Sequence, residues 1–374
     1  MERFLCWVLR TATLFWDHNY GDIVLILDEH DGDKTTAFPS NLTALNLPFT
    51  YKFIYEKEPS RKKEFLEFTR RIYNRGYGYT LQLYSFYIMD QYFNENDIIA
   101  YTDTDAAFTI PVVDKSIIDA DGKLVVKGYN MFNPKRRPGH IGAWDDQTRF
   151  SIGLPMVADF MTFFPTYFFV RTIRNCRNYI MKRHNVSNFE EFFLKCTKMI
   201  SPVNIVFSYA FYFERDSYSW HIDTWPESLA DYNKRLPIDK PVREIDTIPE
   251  IHQTVHAKYY KGVDTFERSI CYLQTYLGMK NLKYCPLNKY GNAPIHLSYE
   301  FETANRVNHH GSWMVEKANE TKEIVLDRYR IIGQLYQKKR LHFDTERIKM
   351  VEEFASNTVG VKCLRTNYEP FQRV

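Results

Sequence analysis

Continuous apolar runs alternate with segments of helical period through the first hundred residues. The run "IVLILD" (23–28) lies between a turn and an acidic cluster, which is typical of a buried parallel strand. "PFTYKFIY" (48–55) and "DIIAYT" (97–102) are further strand candidates. "RKKEFLEFTRRIYN" (61–74) and "TLQLYSFYIMDQYF" (80–93) have apolar residues at helical spacing. Strands that alternate with helices predict an α/β fold with a largely parallel sheet.

The pattern is less regular after this region. "SIIDADGKLVVKGY" (116–129) contains two β-rich runs around an Asp-Gly pair, which predicts a hairpin. "DFMTFFPTYF" (159–168) is another strand candidate, and helices are predicted in "VRTIRNCRNYIMKRH" (170–184) and "NFEEFFLKCTKMI" (188–200). "VNIVFSYAFYF" (203–213) fits either a strand or a helix.

The C-terminal part of the chain has a different pattern of residues. Residues 226–249 are polar and rich in proline, which predicts a long surface connection. Helical patterns resume at 264–278 and at 313–340. We therefore expect one α/β domain in residues 1–215 and a mostly helical part in residues 216–374, which packs on that domain.

Composition and charge fit an ordinary soluble globular protein. The 49 basic and 46 acidic residues give a formal net charge of +3, too balanced for the basic patch that nucleic acid requires. The longest apolar stretch, 153–170, contains Asp159 and two prolines, so no membrane span is predicted. Six cysteines without metal-type spacing indicate a reducing compartment, and no signal peptide is evident. We expect a cytoplasmic protein.

Two aspartates, Asp103 and Asp105, follow the apolar part of the strand candidate "DIIAYT". In an extended chain, residues i and i+2 point to the same face, so both carboxylates can converge on one cation. Mg²⁺ and Mn²⁺ take oxygen ligands and keep open positions for substrate phosphates. Open α/β sheets bind ligands beyond the carboxyl ends of their strands. The pair predicts a divalent metal site, against the simpler interpretation of a strand that ends in a polar turn.

The order of a strand, "DTD" and further strands, after an N-terminal βαβ half, resembles the GT-A glycosyltransferases. The resemblance covers roughly residues 4–215 and depends on one short motif. It implies a GT-A (Rossmann-like), mainly parallel sheet flanked by helices, with residues 216–374 on the acceptor side. It also implies an enzyme that uses a nucleotide-diphosphate sugar donor, Mn²⁺ or Mg²⁺, and a hydroxyl acceptor such as a glycan.

The resemblance assigns donor and metal roles to particular residues. Asp103 would lie near the ribose and the metal, and Asp105 would bind the metal that neutralises the leaving diphosphate. Asp28, which ends the first strand candidate, would face the nucleoside. Gln82 lies in the helical segment expected beside the nucleotide and the sugar. Arg75, in a glycine-containing loop before that segment, would pair with the diphosphate.

Two parts of the family pattern are not matched by a single segment of this sequence: the first strand and the late histidine. GT-A folds normally begin with a strand before the first helix, whereas this chain begins with the helical pattern "ERFLCWVLR", so we expect that first strand to be missing. Many members complete the metal shell with a late histidine. His256 follows a candidate strand after the long connection; the alternatives are His252, His296, His309 and His310.

The residue that activates the acceptor stays open between three candidates. Inverting members use a carboxylate that deprotonates the acceptor hydroxyl. Asp159 is a charge inside an apolar run, which is costly to bury and is therefore the first candidate, and Glu191 in "NFEEFF" is the second. Asn204, in "SPVNI", lies where some retaining members carry an amide or a carboxylate near the anomeric carbon. The sequence decides neither the stereochemistry nor the sugar.

Two other functions are compatible with a carboxylate site on an α/β sheet. A nucleotidyltransferase-like enzyme shares these features but usually carries a glycine-rich phosphate loop near its start, which is not visible in this sequence. A GT-A-like scaffold without activity would bind neither metal nor nucleotide.

Overall fold

A computed structural model of the chain describes residues 4–9, 12–13, 16–28, 32–73, 76–102, 106–108, 112, 114, 117–130, 132, 141–161, 165–224, 227–247, 254–256 and 345–360. These residues form a mixed α/β fold, in which short sheets and helices surround a large apolar core. No helix within these ranges is long and apolar enough to cross a membrane.

The strands of the described ranges are β1 Ile23–Asp28, β2 Tyr51–Glu56, β3 Ile98–Tyr101, β4 Ala106–Phe108, β5 Leu124–Tyr129, β6 Thr166–Phe169, β7 Tyr218–Asp223 and β8 Thr254–His256. The α-helices are α1 Gly32–Ala44, α2 Lys62–Ile72, α3 Tyr77–Phe86, α4 Ile141–Ile152, α5 Val170–Arg183, α6 Phe189–Lys195, α7 Pro202–Phe213, α8 Leu229–Asn233 and α9 Thr345–Val359. A π-helical turn, Phe4–Leu9, precedes them.

The strands pair two by two within the part of the chain that the structure describes. β1 and β2 are parallel, with Ile23 opposite Tyr51, because helix α1 carries the chain back between them. β5 and β7 are also parallel, with Leu124 opposite Tyr218. The other two pairs, β3 with β6 and β4 with β8, are antiparallel. The α/β class is therefore confirmed, while the largely parallel sheet is present only in part.

Aromatic packing joins the helices to the β3–β6 pair. The ring of Phe168 in β6 lies 5.3 Å from Phe86 of α3 and stacks 4.1 Å from Phe207 of α7. Such large rings supply most of the apolar area in this part of the core. The aromatic residues of the chain thus build a core that holds β3 in place, and β3 leads into the "DTD" segment.

The hairpin predicted in residues 116–129 is formed only close to its turn, within the described residues 117–129. Its turn exists, with Gly122 at a φ of 77°, but the antiparallel pairing is limited to one bridge between Ile118 and Leu124. β5 instead pairs with β7, which covers it so well that only Lys127 of its six residues is not fully buried.

Two other segments differ from their predicted form. The ambiguous run 203–213 is helix α7, which starts at Pro202, a residue favoured at the first helical position. Of the strand predicted at 159–168, only β6 is formed; Asp159 makes a single bridge with Tyr129.

The described C-terminal helix packs against the beginning of the fold. α9 contacts the π-helical turn and α1, where the rings of Phe38 and Phe354 lie 5.9 Å apart. β7 follows residue 215 and pairs with β5, so the sheet region extends beyond the boundary expected at that residue. The helical patterns at 264–278 and 313–340 lie outside the described residues.

Gly128 permits a close approach between β5 and the chain at residues 158–160. A Cβ at this position would lie 2.6 Å from Phe160 Cε1 and 2.8 Å from Ala158 Cβ, both closer than real Cβ contacts. The segment that carries Asp159 can therefore lie against β5 only because residue 128 has no side chain.

We expect Gly128→Ala to lower the free energy of unfolding by about 1–3 kcal/mol, because the core must shift to admit the methyl group. Gly78→Ala, inside helix α3, is the matched control, since a Cβ there meets nothing within 4 Å. The control should be neutral or stabilising by about 0.5–1 kcal/mol. Urea unfolding of both variants compares them, and equal stabilities would contradict the close approach.

Candidate functional site

The segment with the two predicted metal ligands lies between two described strands. β3 ends at Tyr101 and β4 begins at Ala106, while Asp103 and Asp105 themselves lie outside the described residues. The surroundings of the segment are nevertheless defined, because Tyr101 and Ala106 each have described neighbours.

Helix α3 lies beside the end of β3. The side-chain amide of Gln82 is exposed and donates a hydrogen bond from Nε2 to the Tyr101 hydroxyl over 3.3 Å. The rings of Phe86 and Tyr101 meet edge to face at 5.0 Å. Gln82, expected beside the donor from the sequence, is thus joined to the residue that stands two positions before Asp103.

Strand β8 brings His256 next to the same segment. β4 and β8 are antiparallel, and their register sets Ala106 opposite His256. Residues directly opposite in such a pair have Cα atoms about 4.5–5.5 Å apart. The backbone of His256 therefore lies beside the residue that follows Asp105. The side chain of His256 lies outside the description.

Of the other expected donor residues, Asp28 is placed by its backbone only, and Arg75 is not described. Asp28 ends β1 and is in register with Glu56, which ends β2 and is buried. Parallel strands present their carboxyl ends at one edge, so Asp28 occupies the edge at which open sheets bind ligands. Arg75 lies outside the described residues, directly before Gly76, the residue that precedes helix α3.

Two of the three candidates for acceptor activation are in contact. Asn204 Nδ2 donates to Asp159 Oδ1 over 3.2 Å, and the Asn204 Oδ1 atom accepts from the backbone N–H of Phe160 at 2.7 Å. Asp159 Oδ1 also accepts from Met161 N at 3.0 Å. Asp159 is 4% exposed and Asn204 is fully buried. The amide fixes the orientation of the carboxylate, an arrangement suited to holding a base in one position.

The third candidate, Glu191, is not part of this network. It lies on the first turn of α6, where its backbone N–H is capped by Asn188 Oδ1 at 2.9 Å. Its carboxylate forms an ion pair with Lys195 at 2.8 Å, and the hydrogen bond from this lysine holds the pKa of Glu191 below its usual value. Pairing at i, i+4 on a helix surface is an ordinary structural role.

One polar group near Asp159 was not foreseen from the sequence. Asn130 directly follows β5, is 1% exposed, and donates from Nδ2 to Thr224 O at 2.7 Å and to Glu227 Oε2 at 3.1 Å. Its backbone N–H donates to Asp223 O at 2.8 Å. Asn130 therefore ties the carboxyl ends of β5 and β7 together. The only signal in the sequence is an amide directly after an apolar strand, which is too common to single it out.

The metal site predicted at Asp103 and Asp105 is not tested by the described side chains. These contain no group of three or more His, Cys, Asp or Glu residues placed to hold an ion. Both aspartates and the His256 side chain fall outside the ranges on which that statement rests.

Comparisons of the chain with protein-family models, with curated proteins and with solved structures each found no match.

Proposed function

We propose that the protein is a metal-dependent glycosyltransferase of the GT-A type, which moves a sugar from a nucleotide-diphosphate donor to a hydroxyl acceptor such as a glycan. One observation carries the proposal: the β4–β8 register, which sets Ala106 opposite His256. The backbone of a late histidine thus lies opposite Ala106, the residue that follows "DTD" in the sequence. These are the two sources of metal ligands that many enzymes of this type combine.

The proposed donor site uses the carboxyl edge of β1 and β3. Asp103, Asp105 and His256 would hold Mn²⁺ or Mg²⁺, which when bound neutralises charge on the leaving diphosphate. Asp28 would face the nucleoside, and Arg75 would bind the diphosphate. Gln82 is exposed beside the end of β3, in reach of a donor bound at that edge.

The proposed acceptor chemistry uses Asp159, with Asn204 as its positioning residue. The bond between the anomeric carbon and the diphosphate oxygen breaks, and a bond from that carbon to the acceptor oxygen forms. The proton of the acceptor hydroxyl passes to the Asp159 carboxylate. The hydrogen bond from Asn204 Nδ2 keeps that carboxylate in one orientation before the acceptor binds.

A nucleotide titration with and without Mn²⁺ tests the proposal. We expect one or more nucleoside diphosphates to raise the thermal midpoint in the presence of Mn²⁺, because a ligand at a hundred times its Kd adds about 2.7 kcal/mol to stability. EDTA and Asp105→Ala should each remove the effect. Asp121→Asn, in the exposed turn between Asp119 and Lys123, is the control carboxylate and should leave it intact.

Three outcomes would contradict the proposal: no nucleotide binds, binding does not depend on the metal, or Asp105→Ala retains it. The first outcome is the one expected of an inactive scaffold. A nucleotidyltransferase-like enzyme would instead respond to nucleoside triphosphates in preference to diphosphate sugars.

A further inference from the structure

A cavity of about 460 Å³ lies beside strand β2, and no role has been given to it so far. Its lining consists of Lys52, Phe53, Ile54, Gln91, Tyr92, Phe93, Asn94 and Asp97. Successive strand residues point to opposite faces, so a cavity lined by three consecutive residues of β2 lies at the edge of the strand. The other edge of β2 pairs with β1. The volume is within the range of about 300–1,000 Å³ found for small-molecule sites.

The cavity is remote from the proposed donor site. Lys52 is the second residue of β2, and Asp97 directly precedes β3, so the cavity lies at the amino ends of these strands. At about 3.3 Å per residue, Asp97 and Tyr101 are about 13 Å apart, and the "DTD" segment lies beyond Tyr101. A ligand beside Asp97 therefore lies about 13 Å from Tyr101, the end of β3.

The charged groups of the lining already have partners. Lys52 Nζ forms an ion pair with Asp22 at 2.5 Å. Asp97 Oδ2 accepts from the backbone N–H of Asn94 at 2.9 Å and from its Nδ2 at 3.2 Å. The lining holds one cation, Lys52, and one carboxylate, Asp97, so its formal charges cancel. Such a lining favours an uncharged ligand over a phosphate or a cation.

The remaining lining combines aromatic rings with amide groups. Phe53, Tyr92 and Phe93 contribute rings, and Gln91 contributes an exposed amide that both donates and accepts hydrogen bonds. A sugar ring has the matching chemistry, because its C–H faces pack against aromatic rings while each hydroxyl donates and accepts. The backbone of a strand edge offers further donors and acceptors in a row.

We propose that this cavity binds a neutral carbohydrate chain. In the enzyme it holds a part of the acceptor remote from the reacting hydroxyl, a role that rests on the proposed function. The binding itself does not depend on catalysis, so it is measured on the full chain in the absence of nucleotide and metal.

Saturation-transfer NMR titrations with maltotriose, mannotriose and triacetylchitotriose test this site, with sialyllactose and inorganic phosphate as charged probes. At least one neutral trisaccharide should bind. Tyr92→Ala should weaken that binding about tenfold or more through the lost ring, and Gln91→Ala about three- to tenfold through the lost hydrogen bonds. Asn357→Ala, which removes an exposed amide on α9 outside the lining, should leave it unchanged.

Gln91→Ala keeps the test decisive if Tyr92→Ala unfolds, because Gln91 is exposed. The inference is overturned if no neutral trisaccharide binds, if both cavity variants bind as the wild type does, or if the charged probes bind there instead. The metal-dependent nucleotide titration, repeated on Gln91→Ala, separates the two proposals. If nucleotide binds but no trisaccharide does, the carbohydrate site alone is rejected. If a trisaccharide binds but no nucleotide does, the donor site alone is rejected.

Discussion

Asp159→Asn is expected to lower the rate of sugar transfer by about 10²–10⁴-fold while the protein stays folded. The substituted amide can still present an oxygen to Met161 N and to Asn204 Nδ2, so the hydrogen bonds that hold this residue are kept. What is lost is the capacity to accept the proton of the acceptor hydroxyl. The rate is measured with the donor that the nucleotide titration identifies, and the thermal midpoint is measured alongside it.

Glu191→Gln is the matched control for this experiment. Glu191 is also a carboxylate on the candidate list, but its ion pair with Lys195 lies on the surface of α6, where such pairs contribute little. We expect no change in its transfer rate and little change in stability. A purely structural Asp159 would give the opposite pattern, in which Asp159→Asn lowers the thermal midpoint and leaves the rate of the folded fraction unchanged.

Asp246→Ala is expected to lower the free energy of unfolding by about 3–5 kcal/mol at pH 7. Asp246 is 3% exposed and forms ion pairs with two arginines, Arg215 and Arg243. The Nη2 atom of Arg243 lies 3.1 Å from Asp246 Oδ1. Its removal leaves the half-buried Arg215 without its carboxylate. It also frees the segment that the bridge between His221 and Thr247 joins to β7.

The contribution of Asp246 to the free energy of unfolding should depend on pH. Burial alone raises the pKa of Asp246, but the hydrogen bonds from Arg243 and Arg215 outweigh it and hold the pKa below its usual value. Because the folded pKa is the lower one, the stabilisation is complete above the unfolded value of about 3.9 and is lost as the pH falls through the folded pKa. Wild type and variant should therefore converge in acid.

Urea unfolding at pH 7 and at pH 3 measures both effects. Asp239→Ala, an exposed carboxylate of the same loop, is the control and should change stability by no more than about 0.5 kcal/mol. A difference between wild type and Asp246→Ala that is as large at pH 3 as at pH 7 would show that the ion pairs are not its source.

Local sequence was sufficient to predict helices and strands whose ends are bounded by turn or charged residues and whose hydrophobic period is clear. "IVLILD" is bounded on both sides and gives β1 without error, and the helix expected at 170–184 is α5, Val170–Arg183. Helix α7 has no polar face, so its periodicity cannot separate a helix from a buried strand. The turn at Gly122 was predicted correctly. The partner of β5 was not, because it is β7, a strand almost a hundred residues away.

The candidate site was predictable residue by residue but not as an assembly. Asp159 attracted attention as a charge in an apolar run, and Asn204 through its position in the family pattern. Their hydrogen bond joins residues 45 positions apart, which no local pattern encodes. Gly128 left no signal in the sequence and Asn130 only a common one, because the importance of both comes from what lies against them in the fold.

The contact between helix α9 and the π-helical turn Phe4–Leu9 has a consequence during synthesis. Phe38 is synthesised more than three hundred residues before Phe354, the residue whose ring packs against it. Residues 4–44 therefore spend most of the elongation time without this partner, when chaperones and proteases can reach them. Helix α9 can dock onto the π-helical turn and α1 only after the residues between them in the sequence have been made.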